Sequence, residues 1–305
     1  MKVYDRNLKK IIDEVDTNAK SVKILYNNIF GRTILKVLIK PHISKLNGIR
    51  YSKKNSVKVI PKFVKKNQID MTEYPKKEYC SFNDFFTRDI LKEKRPIGND
   101  KKELISTADA LLTVYKISDG LTFKIKNSIY TVSELLQNEK LAQEYDKGYC
   151  LIFRLTVRDY HHYCYIDDGK RDDYIKIDGV LHTVNPIATK KVKVYSENSR
   201  EYTVLHLDNF GDVVQIEVGA LMVGKIKNNN LKEFKRGDEK GYFEFGGSTI
   251  IMLFKNNTIK IDDDILVQSQ NEIETRVKYG EKIGISSWKW TFFYEKRKIL
   301  YNYYR

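Results

Sequence analysis

The chain has 305 residues, enough for one large domain or two small ones, and its hydrophobic fraction of 41% allows a sizeable core. Together with 31% charged and 12% aromatic residues, this hydrophobic fraction is typical of a globular rather than a disordered chain. The formal net charge is +15, and residues 1–66 hold 17 Lys and Arg against four Asp and Glu, a net of +13. A basic segment of this kind fits an anionic membrane surface, nucleic acid or a solvated Lys-rich face.

Apolar runs, cysteine spacing and recognition motifs further limit the class of protein and the partners that the sequence allows. No run of eighteen apolar residues occurs, so the sequence predicts no membrane span, and the start MKVYDRNLKK lacks the apolar region of a secretory signal. Cys80, Cys150 and Cys164 have no paired spacing, which predicts a reduced cytoplasmic protein without disulfides or a zinc site. The basic residues belong to no nucleic-acid recognition motif, so we expect no nucleic-acid partner.

Residues 1–70 are predicted to be helical and basic. Apolar residues recur at roughly helical spacing over residues 22–40, and Pro41 is expected to end or kink this helix. Three cations fall four residues apart, along one face: Arg32, Lys36 and Lys40. Such a basic amphipathic helix either lies on an anionic bilayer or packs on its own domain, and the sequence does not separate the two.

From about residue 104 the pattern changes to short β-rich runs such as LLTVYKI, YCLIFRLTV and STIIMLF. Turn clusters such as DDGK, NFGD and KRGDEKG separate these runs. The fold class predicted is therefore α+β, with a mainly antiparallel β body and a helical N-terminal part. We expect residues 1–70 to form a membrane-associating part and residues 71–305 a β-rich catalytic domain.

The segment FEFGGSTIIMLF, residues 243–254, combines two glycines with a serine directly before an apolar run. Glycines let reacting groups come close, and the Ser248 hydroxyl can attack the carbonyl carbon of Gly247, which converts the peptide bond into an ester. Elimination and hydrolysis then leave a pyruvoyl group and release ammonia. By itself a Gly-Gly step before a strand indicates only a turn or a bulge.

Seven ordered motifs supply the context for this serine. They run SFNDFFTRD, KRPI, STAD, RLTVRDYHHYCYIDDG, GVLHTVNPIA, NFGDVVQIEVGALMVGKI and KRGDEKGYFEFGGST. In this order the chain resembles the phosphatidylserine decarboxylase family over roughly residues 75–284. The resemblance implies a largely antiparallel β fold and removal of carbon dioxide from phosphatidylserine to give phosphatidylethanolamine.

The resemblance also implies a self-processing proenzyme. Cleavage between Gly247 and Ser248 would leave a heterodimer of residues 1–247 and 248–305, or a higher oligomer of such heterodimers. Ser248 would become the pyruvoyl cofactor, which forms a Schiff base with the substrate amine, and no metal is expected. The sequence agrees in lacking a zinc motif such as HExxH and a Gly-rich nucleotide loop.

Three residues carry the processing roles that the family implies. Asp109 of STAD, His161 of DYHH and Ser248 would act as a charge relay, in which the imidazole takes the hydroxyl proton and the carboxylate orients the imidazole. His161 is also expected to return a proton to the substrate carbon after decarboxylation. By resemblance, these three are the predicted catalytic residues.

The chain departs from the common family pattern at three positions. Ala110 replaces a usual Gly, which would strain the backbone if a positive φ is required there. His162 stands where Arg is usual, and Cys164 stands where many relatives have a second His that serves as base. These departures leave open a second hypothesis, a non-processing relative that binds anionic membranes without catalysis.

The location follows from the substrate. Phosphatidylserine is a bilayer lipid, so we expect a peripheral protein on the cytoplasmic side of the cell membrane that contacts an anionic surface. The C-terminal segment combines aromatic and basic residues as interfacial segments do, although the same aromatics suit packing on the β body. Its aromatic residues include Trp288, Trp290, Phe292 and Phe293.

Overall fold

A computed structural model describes residues 1–14, 16–125, 128–221, 225–246 and 248–287. The helices are α1 Ala19–Asn27, α2 Ile29–Leu38, α3 Pro41–Tyr51, α4 Ile60–Asn67, α5 Phe82–Phe86, α6 Val132–Leu136, α7 Glu139–Gln143, α8 Pro186–Thr189, α9 Val194–Glu197 and α10 Asp263–Gln270. Short 3₁₀ helices span Lys54–Val59, Met71–Glu73 and Lys92–Lys94.

The strands alternate with turns through most of the chain. They are β1 Lys2–Asp5, β2 Lys10–Asp13, β3 Glu103–Ile105, β4 Ala110–Lys116, β5 Thr122–Ile125, β6 Ser128–Thr131, β7 Tyr149–Leu155, β8 His162–Cys164, β9 Gly169–Arg171, β10 Ile175–Ile177, β11 Arg200–Leu207, β12 Gly211–Val218, β13 Ile226–Asn228, β14 Glu233–Phe234, β15 Glu239–Phe243, β16 Ser248–Phe254, β17 Ile259–Ile261, β18 Glu274–Val277 and β19 Lys282–Ser286.

One large sheet organises the body, in the order β14-β9-β11-β12-β16-β7-β4-β18-β1-β2, with β10 also paired to β11. Its pairs are antiparallel except for β1 with β18. β16 lies in the middle between β12 and β7, and every residue of its apolar run is buried. A continuous apolar run suits a strand that is covered on both faces. Ser248, its first residue, is therefore anchored to the rigid centre of the fold.

A smaller sheet places the DYHH motif, which contains His161, next to the centre of the large sheet. β8 pairs with β15, and β15 pairs with β13. The residue before β8 is His161, whose carbonyl accepts the backbone N–H of Phe243 at the end of β15 over 3.0 Å. Because β15 and β16 are consecutive along the chain, this bond brings His161 close to the start of β16.

The N-terminal helices pack on the body. Buried Val22, Tyr26 and Leu35 of α1 and α2 belong to the same hydrophobic core as the large sheet. A second cluster joins α4 and α5 to the sequence around the site through Phe63, Phe82, Phe86, Tyr160 and Phe245. In the described part of the chain, no helix is both long and apolar enough to span a bilayer.

The predicted α+β class is confirmed, with helices towards the N-terminus and mainly antiparallel sheets. The detail of residues 1–70 differs, because residues 2–5 and 10–13 form strands at one edge of the large sheet. The helix predicted over residues 22–40 is broken at Asn28, whose side chain accepts the N–H of Phe30 and so caps α2. α2 ends at Leu38, and Pro41 begins α3, where a missing N–H has no cost.

Candidate active site at Ser248 and His161

Ser248 lies where the large sheet meets the Gly-Gly step. It pairs with Leu155 of β7, and its side chain is fully buried. The hydroxyl oxygen lies 3.3 Å from Nδ1 of His161, within hydrogen-bond distance. The predicted cleavage partner Gly247 is outside the described residues. The structure thus brings together two of the three predicted catalytic residues.

The other ring nitrogen of His161 fixes the tautomer. Nε2 lies 2.9 Å from the carbonyl oxygen of Thr156, and a carbonyl can only accept, so Nε2 carries the proton. Nδ1 is then the acceptor that faces the Ser248 hydroxyl. Such a pair needs no rearrangement for the imidazole to take the hydroxyl proton.

Burial keeps this imidazole neutral. His161 is fully buried, and desolvation lowers its pKa to about 4, with the nearby Arg88 guanidinium acting in the same direction. The bond to Thr156 and the charge of Asp159 oppose this shift without cancelling it. Phe86 covers the imidazole, with ring centroids 4.4 Å apart, and Phe245 packs on Phe86 at 5.2 Å. Aromatic walls of this kind exclude water from the serine–histidine pair.

The third predicted residue, Asp109, has other partners. Its carboxylate accepts from Arg95 Nε over 2.7 Å and from Arg95 Nη2 over 2.5 Å, and it also accepts the backbone N–H of Tyr279 over 2.8 Å. Arg95 is buried and also binds Glu73 at 2.8 Å. Among the hydrogen bonds of the described residues, none joins Asp109 to His161. Asp109 therefore fixes the Tyr279 backbone to the Arg95 side chain.

The three departures from the family pattern have structural explanations. Ala110 begins β4 in extended backbone and is absent from the residues with positive φ, so alanine causes no strain there. Both His162 ring nitrogens are occupied, Nδ1 by Glu239 at 2.6 Å and Nε2 by the Thr87 carbonyl at 3.1 Å. Burial raises the pKa of the Cys164 thiol to about 12, so it stays protonated and cannot act as a base.

Sequence reasoning missed the groups that position His161. The turn after β7 is closed by the Asp159 carboxylate, which accepts the Thr156 N–H over 2.6 Å, while the Thr156 carbonyl accepts both the Asp159 N–H and His161 Nε2. The available signal was the Thr-x-x-Asp spacing within the RLTVRDYHH motif, which is typical of side-chain-closed turns.

Comparison with known proteins finds related sequences along most of the chain. The sequence profile of the family described as phosphatidylserine decarboxylase matches residues 82–285. The chain is 57% identical over 283 residues to phosphatidylserine decarboxylase proenzyme 2 of Clostridium acetobutylicum, covering 92% of this chain and 97% of that protein. It is 44% identical over 292 residues to a phosphatidylserine decarboxylase proenzyme of Clostridium botulinum, covering 93% and 99%.

A further relative from Ruminiclostridium cellulolyticum, also named phosphatidylserine decarboxylase proenzyme, is 40% identical over 291 residues, covering 93% of this chain and 97% of that protein. The profile match thus extends across both His161 and Ser248. The family that the ordered motifs predicted is confirmed: the chain belongs to the phosphatidylserine decarboxylase family of enzymes.

Proposed function

We propose that this protein is a self-processing proenzyme that cuts itself between Gly247 and Ser248 and then decarboxylates phosphatidylserine to phosphatidylethanolamine. The observation that carries the proposal is the 3.3 Å contact between the Ser248 hydroxyl and an imidazole nitrogen of His161 that is free to accept. The names of the relatives, which are decarboxylase proenzymes, support the same reading.

Cleavage starts when Nδ1 of His161 takes the Ser248 hydroxyl proton as the oxygen attacks the Gly247 carbonyl carbon. The C–N bond breaks, the proton passes to the departing nitrogen of Ser248, and an ester replaces the peptide. A base then removes the α-proton of Ser248, and the Gly247 carboxylate leaves. Water hydrolyses the remaining enamine, which releases ammonia and leaves a ketone at the new N-terminus. The burial and neutral state of His161 support its role in the first proton transfer.

The cofactor formed in this way fits the site, because Ser248 is buried, begins a central strand and adjoins a neutral acid–base group. The pyruvoyl carbonyl supplies an electrophile for the substrate amine and accepts the electrons released as carbon dioxide leaves. Water exclusion and proton transfer depend on the chain's own side chains. Phe86 and Phe245 exclude water, and His161 Nδ1, which carries no proton in the neutral ring, takes one from the substrate ammonium group and later gives it to the substrate carbon.

For Asp109 we propose a positioning role. Its bonds to Arg95 and to the Tyr279 N–H tie the segment after β18 to the segment before β4. The Tyr279 ring packs on Tyr160, the residue before His161, with centroids 6.0 Å apart. Asp109 therefore acts on His161 through two intervening residues.

We also propose that α1 and α2 dock the enzyme on an anionic membrane as a peripheral protein. Ile29 and Phe30 are 72% and 80% exposed, and Ile24, Ile34 and Val37 are exposed beside them in sequence. Arg32, Lys36 and Lys40 are exposed on the same helical segment. Apolar side chains next to cations suit the interface of an anionic bilayer.

Intact mass spectrometry of purified protein tests the processing. We expect two chains, residues 1–247 and 248–305, the second lighter than its sequence by the conversion of serine to pyruvoyl. Ser248→Ala and His161→Ala should each give one uncut chain, and His162→Ala, the matched control, should still be cut. A single uncut native chain with full decarboxylase activity would contradict the proposal. An uncut, inactive chain that binds anionic vesicles would instead support the non-processing relative.

A further inference from the structure

A cavity of about 370 Å³ lies against the candidate active site. Its walls include α1, the end of α4 and the turn at residues 156–158, and Phe245 and Gly246 close one side. Leu155, another wall residue, is the strand partner of Ser248. The volume lies within the range of small-molecule sites. The cavity thus borders the chain immediately before the cleavage site and the strand that pairs with it.

The cavity contains hydrogen-bond donors whose partners are weak or missing. The buried hydroxyl of Thr156 has no hydrogen-bond partner among the described residues. The guanidinium of Arg158 lies 3.6 Å from the Glu14 carboxylate, which the Arg276 guanidinium already binds. Lys66 Nζ donates to the neutral Asn18 side chain over 3.3 Å. A buried hydroxyl such as that of Thr156 is normally paired, and the partly exposed Arg158 and the exposed Lys66 bring two cations to the same cavity. Together these donors indicate an anionic ligand.

We propose that this cavity binds the headgroup of phosphatidylserine, with Arg158 and Lys66 on its phosphodiester. This inference rests on the proposed decarboxylase function and names its headgroup site. The phosphodiester keeps its charge throughout the reaction, whereas the carboxylate loses its charge as carbon dioxide leaves. A cation on the carboxylate would stabilise the ground state more than the transition state, so catalysis favours cations on the phosphate and apolar walls around the carboxylate.

The turn that carries Arg158 also orients the catalytic histidine. Thr156 and Asp159 close this turn through hydrogen bonds of 2.6 and 3.0 Å between them, and the Thr156 carbonyl holds His161 Nε2. A phosphate on Arg158 is therefore bound by the same turn that orients the imidazole beside Ser248.

Steady-state kinetics with a monomeric short-chain phosphatidylserine tests the site without a membrane. Arg158→Gln and Lys66→Gln should each raise KM about tenfold or more, with kcat and self-cleavage unchanged, because a charged contact made equally in ground and transition states is lost. Arg158→Lys should recover part of the loss. Lys65→Gln removes an exposed cation from α4 that does not line the cavity, and it should leave KM unchanged.

Competition separates a headgroup site from a site for any small anion. Glycerophosphoglycerol, a phosphodiester without an amine, should compete with the substrate, and about tenfold more weakly in Arg158→Gln. Inorganic phosphate should compete far less well. Unchanged KM in both glutamine variants, or equal competition by inorganic phosphate, would overturn the headgroup site. Failure of the native chain to cleave would instead overturn the proposed function, which the mass measurement detects separately.

Discussion

At His161, one backbone carbonyl and complete burial determine which nitrogen accepts a proton and over which pH range. The Thr156 carbonyl holds the proton on Nε2, and burial lowers the pKa to about 4. In an unfolded chain the same side chain titrates near 6.5. The folded proenzyme therefore keeps a neutral base at pH values where an exposed histidine is largely charged.

The pH dependence of self-cleavage follows from this shift. We expect a constant first-order rate from pH 8 to about pH 6 and a decline only as the pH falls towards about 4. The pKa of His161 is lower in the folded than in the unfolded chain, so the unfolded chain binds more protons between about pH 4 and 6.5. The free energy of unfolding is therefore highest above about pH 6.5 and decreases as the pH falls to about 4. The rate is measured by quenching freshly translated proenzyme at intervals and separating the products on a denaturing gel. A cleavage rate that falls to half near pH 6.5 would argue against a buried base.

Asp109 allows a test that distinguishes positioning from charge relay. Asp109→Asn leaves the buried Arg95 with only Glu73 as anionic partner, which should cost about 3 kcal/mol in the free energy of unfolding and slow self-cleavage. Since Asp109 has no hydrogen bond to His161 among the described residues, the pH midpoint of the remaining cleavage should not move. Glu73→Gln, the matched control, removes the other Arg95 partner but leaves the Tyr279 contact, and it should cleave at the native rate.

A shift of that midpoint to lower pH in Asp109→Asn would show that the carboxylate acts directly on the imidazole, as the charge relay requires.

The three predicted catalytic residues also show which parts of the site could be predicted from the sequence. Ser248 and His161 could be identified because each lies in a short contiguous motif. The partners of Asp109 could not, because Arg95 and Tyr279 are 14 and 170 residues away in sequence.

At the scale of elements, α5 supplies the wall of the site. Ser81 caps this short helix by accepting the Asp84 N–H over 3.1 Å, which orients Phe82, Phe85 and Phe86 towards the interior. The sequence identified this segment as part of a family motif but gave it no role. Its role depends on tertiary packing, because Phe86 contacts His161 from 75 residues away.

Phe86→Ala should therefore affect both stability and chemistry. Removing a buried phenyl ring costs about 3–5 kcal/mol, and the space left admits water to His161, which should slow self-cleavage of the folded fraction. Phe210→Ala is the matched control, since Phe210 is equally buried but packs on Phe254 within the sheet. Urea unfolding monitored by fluorescence gives the stability, and equal cleavage rates in the two folded variants would contradict a role for the Phe86 ring.

The N-terminal elements mark where local patterns fail. The helical periodicity over residues 22–40 was correct, but it does not reveal the break at Asn28, a single extended residue whose side chain caps α2. The strands β1 and β2 were missed because each has only four residues, and β1 is stabilised by pairing with β18 from the far end of the chain. Pairing at that distance leaves no trace in a local pattern.

At the scale of the whole molecule, charge and cavity lie on the same helices. The segment that carries the net +13 forms β1, β2 and α1 to α4, and α1 and α4 also line the proposed headgroup cavity. Of the predicted apolar face, Leu35 is buried in the core, whereas Ile34 is exposed. Packing on the protein's own domain is therefore confirmed for the buried side, and the exposed side is the one that we propose to dock on a membrane. The predicted role of the aromatic C-terminal segment, from Trp288 onward, lies outside the described residues.

Vesicle binding tests this arrangement. The native enzyme should sediment with phosphatidylserine vesicles and should be released as salt rises, because exposed charges are screened over about 10 Å at 0.1 M. Replacing Arg32, Lys36 and Lys40 with Gln should weaken binding, since each cation near an anionic leaflet contributes about 1 kcal/mol. Phe30→Ser should weaken vesicle binding further by removing an apolar contact.

The matched control replaces three exposed lysines on strands of the body, Lys124, Lys176 and Lys260. This triple variant should bind vesicles as the native enzyme does. Equal binding to neutral vesicles, or equal losses in the two triple variants, would show that α1 and α2 are not the docking surface.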